Sequence, residues 1–188
     1  MAEPAILDLR CHPTTPTLIV RRIRVSVLRP TEGELHLAYR LDGDISRIRI
    51  PPLSVPRIGK ELWRHTCFEA FIKAEGQAAY HEFNFAPSRE WTVYALSGYR
   101  NGGPLTDTSM EPHIAMRSTE DCLELKATIR LERLSQLYTV SVLEVGLSAV
   151  IETTEGMSYW ALCHPGAKPD FHHSDSFALQ LPRPSPTR

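Results

Sequence analysis

Trp63, His65, Glu69, Tyr80, Glu82, Asn84 and Tyr94 crowd one stretch of the chain, residues 61–97, and recur there with the alternating spacing of extended backbone. Flat aromatic faces pack on the C–H side of a ring-shaped ligand, and carboxylates and amides take its hydroxyl groups. The plainer reading of the same residues is a solvated sheet face. A carboxylate beside a histidine can also move protons, and paired carboxylates can act on a glycosidic bond, which gives Glu69, Glu82 and His65 an enzymatic alternative. A second cluster lies late in the chain, where His164, His172 and His173 share one loop with Asp170. Two or three of these could hold a metal ion, although their spacing matches no HExxH pattern. The alternative is a loop tied together by histidine hydrogen bonds. Phosphate-cradling glycine motifs and a GxSxG elbow are absent.

The elements that position these residues read as strands. Residues Trp63 to Ala74 alternate Phe68, Ala70 and Ile72 with Trp63, His65, Cys67, Glu69 and Phe71, and Gly76-Gln77 makes a turn. His81, Phe83 and Phe85 then oppose Tyr80, Glu82 and Asn84. Trp91, Val93 and Ala95 oppose Thr92, Tyr94 and Leu96. One face of each strand is apolar core, to which Trp91 belongs, and the other is mixed. Earlier in the chain, strands start near Ile19 and at Leu35, and Asp42-Gly43 predicts a type I′ hairpin into a short strand over 47–50. The proline-rich stretch 51–60 predicts a loop, as do residues 98–112. Leu123 to Leu131 alternate cleanly, 131–137 could form one helical turn, and Gly146 predicts a bulge or bend in the strand over 140–151. No segment holds a helical period. The expectation is all-β: a single antiparallel β-sandwich, immunoglobulin-like or jelly-roll-like, with little helix, spanning 17–182. Residues 1–16 form an N-terminal arm and 183–188 a disordered tail.

Length and composition bound the function. The 188 residues suffice for one domain with a core, and 42% hydrophobic and 23% charged residues are ordinary globular composition. A net charge of -1 argues against nucleic acid and against an anionic membrane surface as partner. The start, MAEPAILDLRCHP, lacks a basic region followed by an apolar one, so no secretory signal is expected. Four cysteines without a CxxC pair predict reduced thiols and a cytoplasmic protein.

The phrases LWRHTCFEAFI, YHEFNFAPSREWTVY and GLSAVIE…SYWALCHP…KPDFHHSDSF together resemble the DOMON-like, family-9 carbohydrate-binding-module-like β-sandwiches, and most closely their stand-alone bacterial members. The resemblance implies a sugar or haem pocket made by one sheet face and its loops. In the sugar-binding branch a strand Trp is followed six residues later by Glu, as Trp63 and Glu69 are here, and a late Trp completes an aromatic clamp, which implies Trp160. Glu82 and Asn84 resemble the groups that read hydroxyls. The haem branch uses axial Met and His, for which Met157 is the candidate methionine and His81 or His65 its candidate partner. The function expected is therefore non-catalytic binding of a small polar ring compound, a saccharide above all. Its site is expected to contain Trp63, His65, Glu69, Glu82, Asn84 and Trp160, with Arg100 and Lys168 adding charge-assisted hydrogen bonds or selecting an acidic sugar. No cofactor is expected, with haem as the alternative.

Overall fold

The computed structural model describes residues 3–183. Thirteen strands follow in chain order: β1 (Ala5–Cys11), β2 (Val20–Thr31), β3 (Glu34–Gly43), β4 (Arg57–Ile58), β5 (Cys67–Ala74), β6 (Tyr80–Phe85), β7 (Glu90–Gly98), β8 (Asn101–Pro104), β9 (His113–Ser118), β10 (Cys122–Arg130), β11 (Leu143–Thr153), β12 (Gly156–Ala161) and β13 (Leu179–Leu181). One α-helix of five residues, α1 (Gln136–Val140), precedes β11. The strands lie in the order β4-β7-β6-β5-β11-β12-β1-β2-β3-β10-β9, with β13 beside β11 and β8 beside β7.

The sheet curls back on itself through β1. Ala5 to Leu9 pair with β2, and Arg10 and Cys11 pair with β12. Residues of β2, β3 and β10 therefore share one core with residues of β5, β6, β7 and β11. The Tyr39 ring on β3 packs 5.0 Å from Phe68 on β5, and its hydroxyl donates 2.7 Å to the Glu69 carbonyl. The alternation is clean on β3, where every second residue is buried. On β5 and β11 nearly every residue is buried. Those two strands are covered on both faces, which hides the period-2 signal.

The all-β expectation agrees with these elements, but several finer expectations need correction. β4 runs parallel to β7, so the pairing is mixed and not wholly antiparallel. The N-terminal arm contains β1, the strand that joins the two halves of the curl. Asp42-Gly43 forms no type I′ hairpin: β3 ends there and a single turn of 3-10 helix, Ile45–Arg47, replaces the predicted strand. Among the described residues the glycines with positive φ are Gly76, at the other predicted turn, and Gly156, where β12 begins after β11. Gly146 is no bulge either, since β11 stays in register with β5 through Gly146 and Phe71. A Cβ there would lie 3.0 Å from the Ser176 carbonyl, so the glycine makes room for the segment that crosses the sheet. The expected tail lies outside the described residues except for Arg183, which pairs with Glu32 at 2.7 Å.

A buried arginine fastens the helix to the sheet. Arg29, on β2, is only 5% exposed and has no carboxylate partner within ion-pair reach among the described residues. Its guanidinium donates instead to the carbonyls of Tyr138 and Ser141, the latter at 2.9 Å, and so satisfies acceptors around the C-terminal end of α1 that the short helix leaves open. Arg29→Ala would strand those carbonyls, and a loss of roughly 2–4 kcal/mol is expected in urea denaturation. Arg22→Ala, which removes an exposed pair with Asp8, should leave the midpoint close to that of wild type.

Candidate functional site

The outward face of β5, β6, β7, β11 and β12 carries a cleft of about 400 Å³. Alternation on β5 sends Phe68, Ala70 and Ile72 into the core and leaves Glu69 on the cleft side. The register then brings equivalent positions together. Glu69 lies opposite Ser148 and Asn84, Glu82 lies opposite Tyr94, and Val150 lies opposite Tyr159. Glu69, Glu82 and Val150 form the floor, with Tyr94, Leu96 and Tyr159 beside them. Trp63 stands at one wall, 44% exposed, on the 3-10 turn Leu62–Arg64 that leads into β5. Its ring is backed by the Arg64 guanidinium at 5.1 Å. The opposite wall is the segment after β12, residues 162–178, which contributes Pro169, Phe171 and His172. That segment is anchored by apolar contacts: Phe177 lies 6.3 Å from Phe71 and 5.4 Å from Tyr80.

Arg100 reaches the cleft from the tip of the β7–β8 hairpin. Its backbone adopts φ 53, the left-handed region, an unusual conformation for a residue with a side chain. In that conformation its N–H donates to the Tyr80 hydroxyl at 3.2 Å, and its guanidinium meets Asp170 at 2.9 Å. The Tyr99 hydroxyl donates to the other Asp170 oxygen at 2.8 Å. The hairpin tip and the late segment are thus locked together by a partnered arginine.

The floor carboxyls are held by neutral groups. Ser148 donates to Glu69 Oε2 at 3.0 Å, and the Asn84 amide donates to Glu82 Oε1 at 2.7 Å. Burial holds the Glu69 carboxyl well above the usual range, and the neighbouring Glu82 charge raises it further, against weaker pulls from Ser148 and Arg100. Burial likewise raises Glu82, with Asn84 and Arg100 opposing. His172 moves the other way, down to about 4, because burial and then the Arg100 charge disfavour imidazolium. The Tyr80 hydroxyl accepts from the Arg100 N–H and shares a hydrogen bond with His172 Nδ1 at 2.8 Å. His172 Nε2 lies 3.6 Å from Glu82 Oε2.

Of the residues expected to form the site, Trp63, Glu69, Glu82 and Arg100 line the cleft. Asn84 is fully buried behind Glu82 and orients it, accepting in turn from the Cys67 thiol at 3.4 Å. Trp160 does not complete a clamp: it packs in the core, and its indole N–H donates to Ser158 Oγ at 3.0 Å. One position along β12 the side chain points outward, so Tyr159 occupies the cleft instead. His65 falls on the turn before β5, outside the strand's alternation, and pairs with Glu152 at 2.8 Å over a neighbouring groove. Lys168 is exposed beside the cleft, whereas Pro169 lines it. Sequence reasoning missed Tyr159, Phe171 and the place of His172 in the wall. The aromatic residue immediately before Trp160 was the signal available for the first of these.

The late histidines do not converge on an ion. His164 donates to the Arg10 carbonyl at 2.8 Å, His172 meets Tyr80, and His173 faces Asp175 at 3.9 Å, while Asp170 belongs to Arg100. Among the described residues no group of three or more His, Cys, Asp or Glu side chains is placed to hold a metal. Met157 and His81 cannot clamp one haem iron. Met157 lies level with Glu152 on β11 and His81 level with Ile72, itself opposite Val145, a separation along β11 of roughly 23 Å at the usual rise per residue. His81 is also occupied by the Tyr138 hydroxyl at 2.7 Å.

The two raised carboxyls tie stability to pH. Their folded-state pKa values lie above the unfolded value of about 4.3, so their contribution is intact below that pH and is lost as pH rises through the folded values. His172 has the opposite sign, its contribution being lost as pH falls from about 6.5 toward its folded value of about 4. Glu69→Gln removes one of the two carboxyls. Urea denaturation at about pH 5 and about pH 8 should show the variant gaining on wild type at the higher pH. A stability difference that is flat with pH would mean that the pair is not strained.

No protein-family profile matches the chain, and no curated protein sequence matches it. Among solved structures, the chain is similar to a suspected carbohydrate-binding protein of Bacteroides uniformis, at 11% identity and a TM-score of 0.65 over 90% of this chain and 82% of that one. A family-9 carbohydrate-binding module of Caldicellulosiruptor kristjanssonii, solved with cellotriose and with glucose, aligns more loosely, at 9% identity and a TM-score of 0.45 over 90% of this chain. The DOMON part of the resemblance gains no support from these similarities. At such identities the likeness is one of fold, and the chain has the fold of the Bacteroides protein.

Proposed function

We propose that this protein binds a small saccharide, or a similar polar ring compound, in the cleft over Glu69 and Glu82, without transforming it. The observation that carries the reading is the combination on the cleft surface: four aromatic side chains, Trp63, Tyr94, Tyr159 and Phe171, around two carboxyls on the floor. A sugar ring is amphipathic. Its C–H face needs an aromatic plane and its hydroxyls need acceptors and donors, and this surface supplies both within reach of one ring. The partly exposed Trp63 offers a platform that requires no rearrangement of the core. The fold shared with a suspected carbohydrate-binding protein agrees with the reading.

A hydrolytic reading would use the same floor, since a carboxyl with a raised pKa can serve as general acid. It would have relied on His65 as a third group, and His65 lies over the neighbouring groove with Glu152. Binding without turnover is therefore favoured.

A glycan and metabolite screen followed by calorimetry tests the assignment. A hit should bind in the range of about micromolar to millimolar, as fits an open cleft. Trp63→Ala should weaken it by roughly 1–2 kcal/mol while the fold persists, because the side chain is half outside the protein. Tyr159→Ala should weaken it similarly. Equal affinity in both variants and wild type would remove the cleft from consideration. Turnover of the hit that vanishes in Glu69→Gln, with binding retained, would convert the protein into an enzyme.

A further inference from the structure

The ionisable groups on the cleft floor that lack a cation partner are carboxyls. Glu69 and Glu82 are 2% and 7% exposed, and each leaves one oxygen, Glu69 Oε1 and Glu82 Oε2, without a hydrogen bond among the described residues. Neither oxygen is sealed off from the cleft, which both residues line. The positive groups nearby are spoken for or uncharged. Arg100 is bound to Asp170, and His172, whose Nε2 stands 3.6 Å from Glu82 Oε2, is a neutral imidazole near neutral pH. Lys168 lies outside the lining. Two carboxyls with open oxygens, walled by Trp63, Tyr94, Tyr159 and Phe171, present acidic acceptors beneath aromatic faces. Both features attract an ammonium group. An acidic sugar, which a free Arg100 would have favoured, meets repulsion here instead.

We propose that the cleft selects a ligand bearing a protonated amine, and, resting on the saccharide reading above, that this ligand is an amino sugar with a free ammonium group. The ammonium sits over Glu69 Oε1 and Glu82 Oε2 while the ring lies against Trp63. Its arrival lowers the affinity of the carboxyl pair for protons, so binding expels a proton to solvent. The other titratable groups facing the pair are Tyr39 across the core, Cys67, Tyr80, Tyr94, Arg100 and His172.

Calorimetry on the full chain with glucosamine, N-acetylglucosamine, glucose and cyclohexylamine tests this. Glucosamine should bind at least about tenfold tighter than glucose or N-acetylglucosamine near neutral pH. Its apparent enthalpy should differ between phosphate and Tris buffers, as proton release requires, and Glu82→Gln should abolish the preference. Equal affinity for the three sugars would overturn amine selection and leave the saccharide reading standing. An enthalpy for glucosamine that is independent of buffer would overturn the proton release. Binding of cyclohexylamine with none of the sugars would uphold amine selection and sink the saccharide reading. No binding by any of the four would overturn both. The sugar comparison and the buffer dependence are measured on wild type, so neither depends on the variant folding.

Discussion

A carboxyl taken out of water without a cation beside it costs several kcal/mol if it stays ionised, or holds its proton instead. Glu69 and Glu82 meet that condition together, on adjacent strands, with a serine hydroxyl and an asparagine amide as their hydrogen-bond donors among the described residues. Their neighbours are arranged around this constraint. Asn84 is fully buried and fixes the orientation of Glu82, and Cys67 fixes Asn84. Arg100 is close enough to ease the pair electrostatically, yet its guanidinium is turned to Asp170. A core that sought stability alone would put apolar groups at two such positions. Their place on the floor of an open cleft fits the proposed ligand, which would complete the arrangement.

The late segment, residues 162–178, makes a cleft out of what would otherwise be a flat sheet face. It carries no regular strand across the site. Phe171 and Phe177 pack on Phe71, His172 packs on Phe71 edge-on at 5.1 Å, and Gly146 leaves the space in which Ser176 crosses. The same contacts bury β5 and β11 on both sides. This segment is joined to the β7–β8 hairpin by Arg100, Tyr99 and Asp170, so two loops distant in sequence form one wall. Arg100's left-handed backbone belongs to that joint, because it aims the N–H at Tyr80 while the side chain reaches Asp170.

Sequence periodicity was a good guide wherever a strand has one wet face, as in β3 and β10, and on β6, where His81, Phe83 and Phe85 oppose Tyr80, Glu82 and Asn84. It placed Glu69 and Glu82 on the correct side for the same reason: a charged residue cannot share the core face with Phe68 and Phe83. Failures came where local signals compete with distant contacts. Asp42-Gly43 has hairpin chemistry, but the Asp44 N–H meets the Ile19 carbonyl at 2.9 Å, and the chain there turns as a 3-10 helix instead. The N-terminal stretch looks like an arm because β1 is short and its proline neighbours are many, while its role in closing the curl depends on β2 and β12. Arg29 gives no local hint that it caps a helix some 110 positions later. Nor did the histidine cluster reveal that its members would point to three different partners.

Trp160 and Tyr159 show how much of the site rests on register alone. Both are aromatic, adjacent and late in the chain, and either could have supplied a second platform. The pairing of Tyr159 with Val150 and of Trp160 with Ala149 assigns the tyrosine to the cleft and the tryptophan to the core. A slip of one residue in β12 would exchange them and would turn the indole outward together with Ser158, the hydroxyl that satisfies it. Such a slip is opposed by burial, because Trp160 fills core volume that the polar-tipped Tyr159 could occupy only with its hydroxyl unsatisfied. The larger ring is thus committed to stability, and the smaller one, with a hydroxyl that belongs in water, is left facing the cleft.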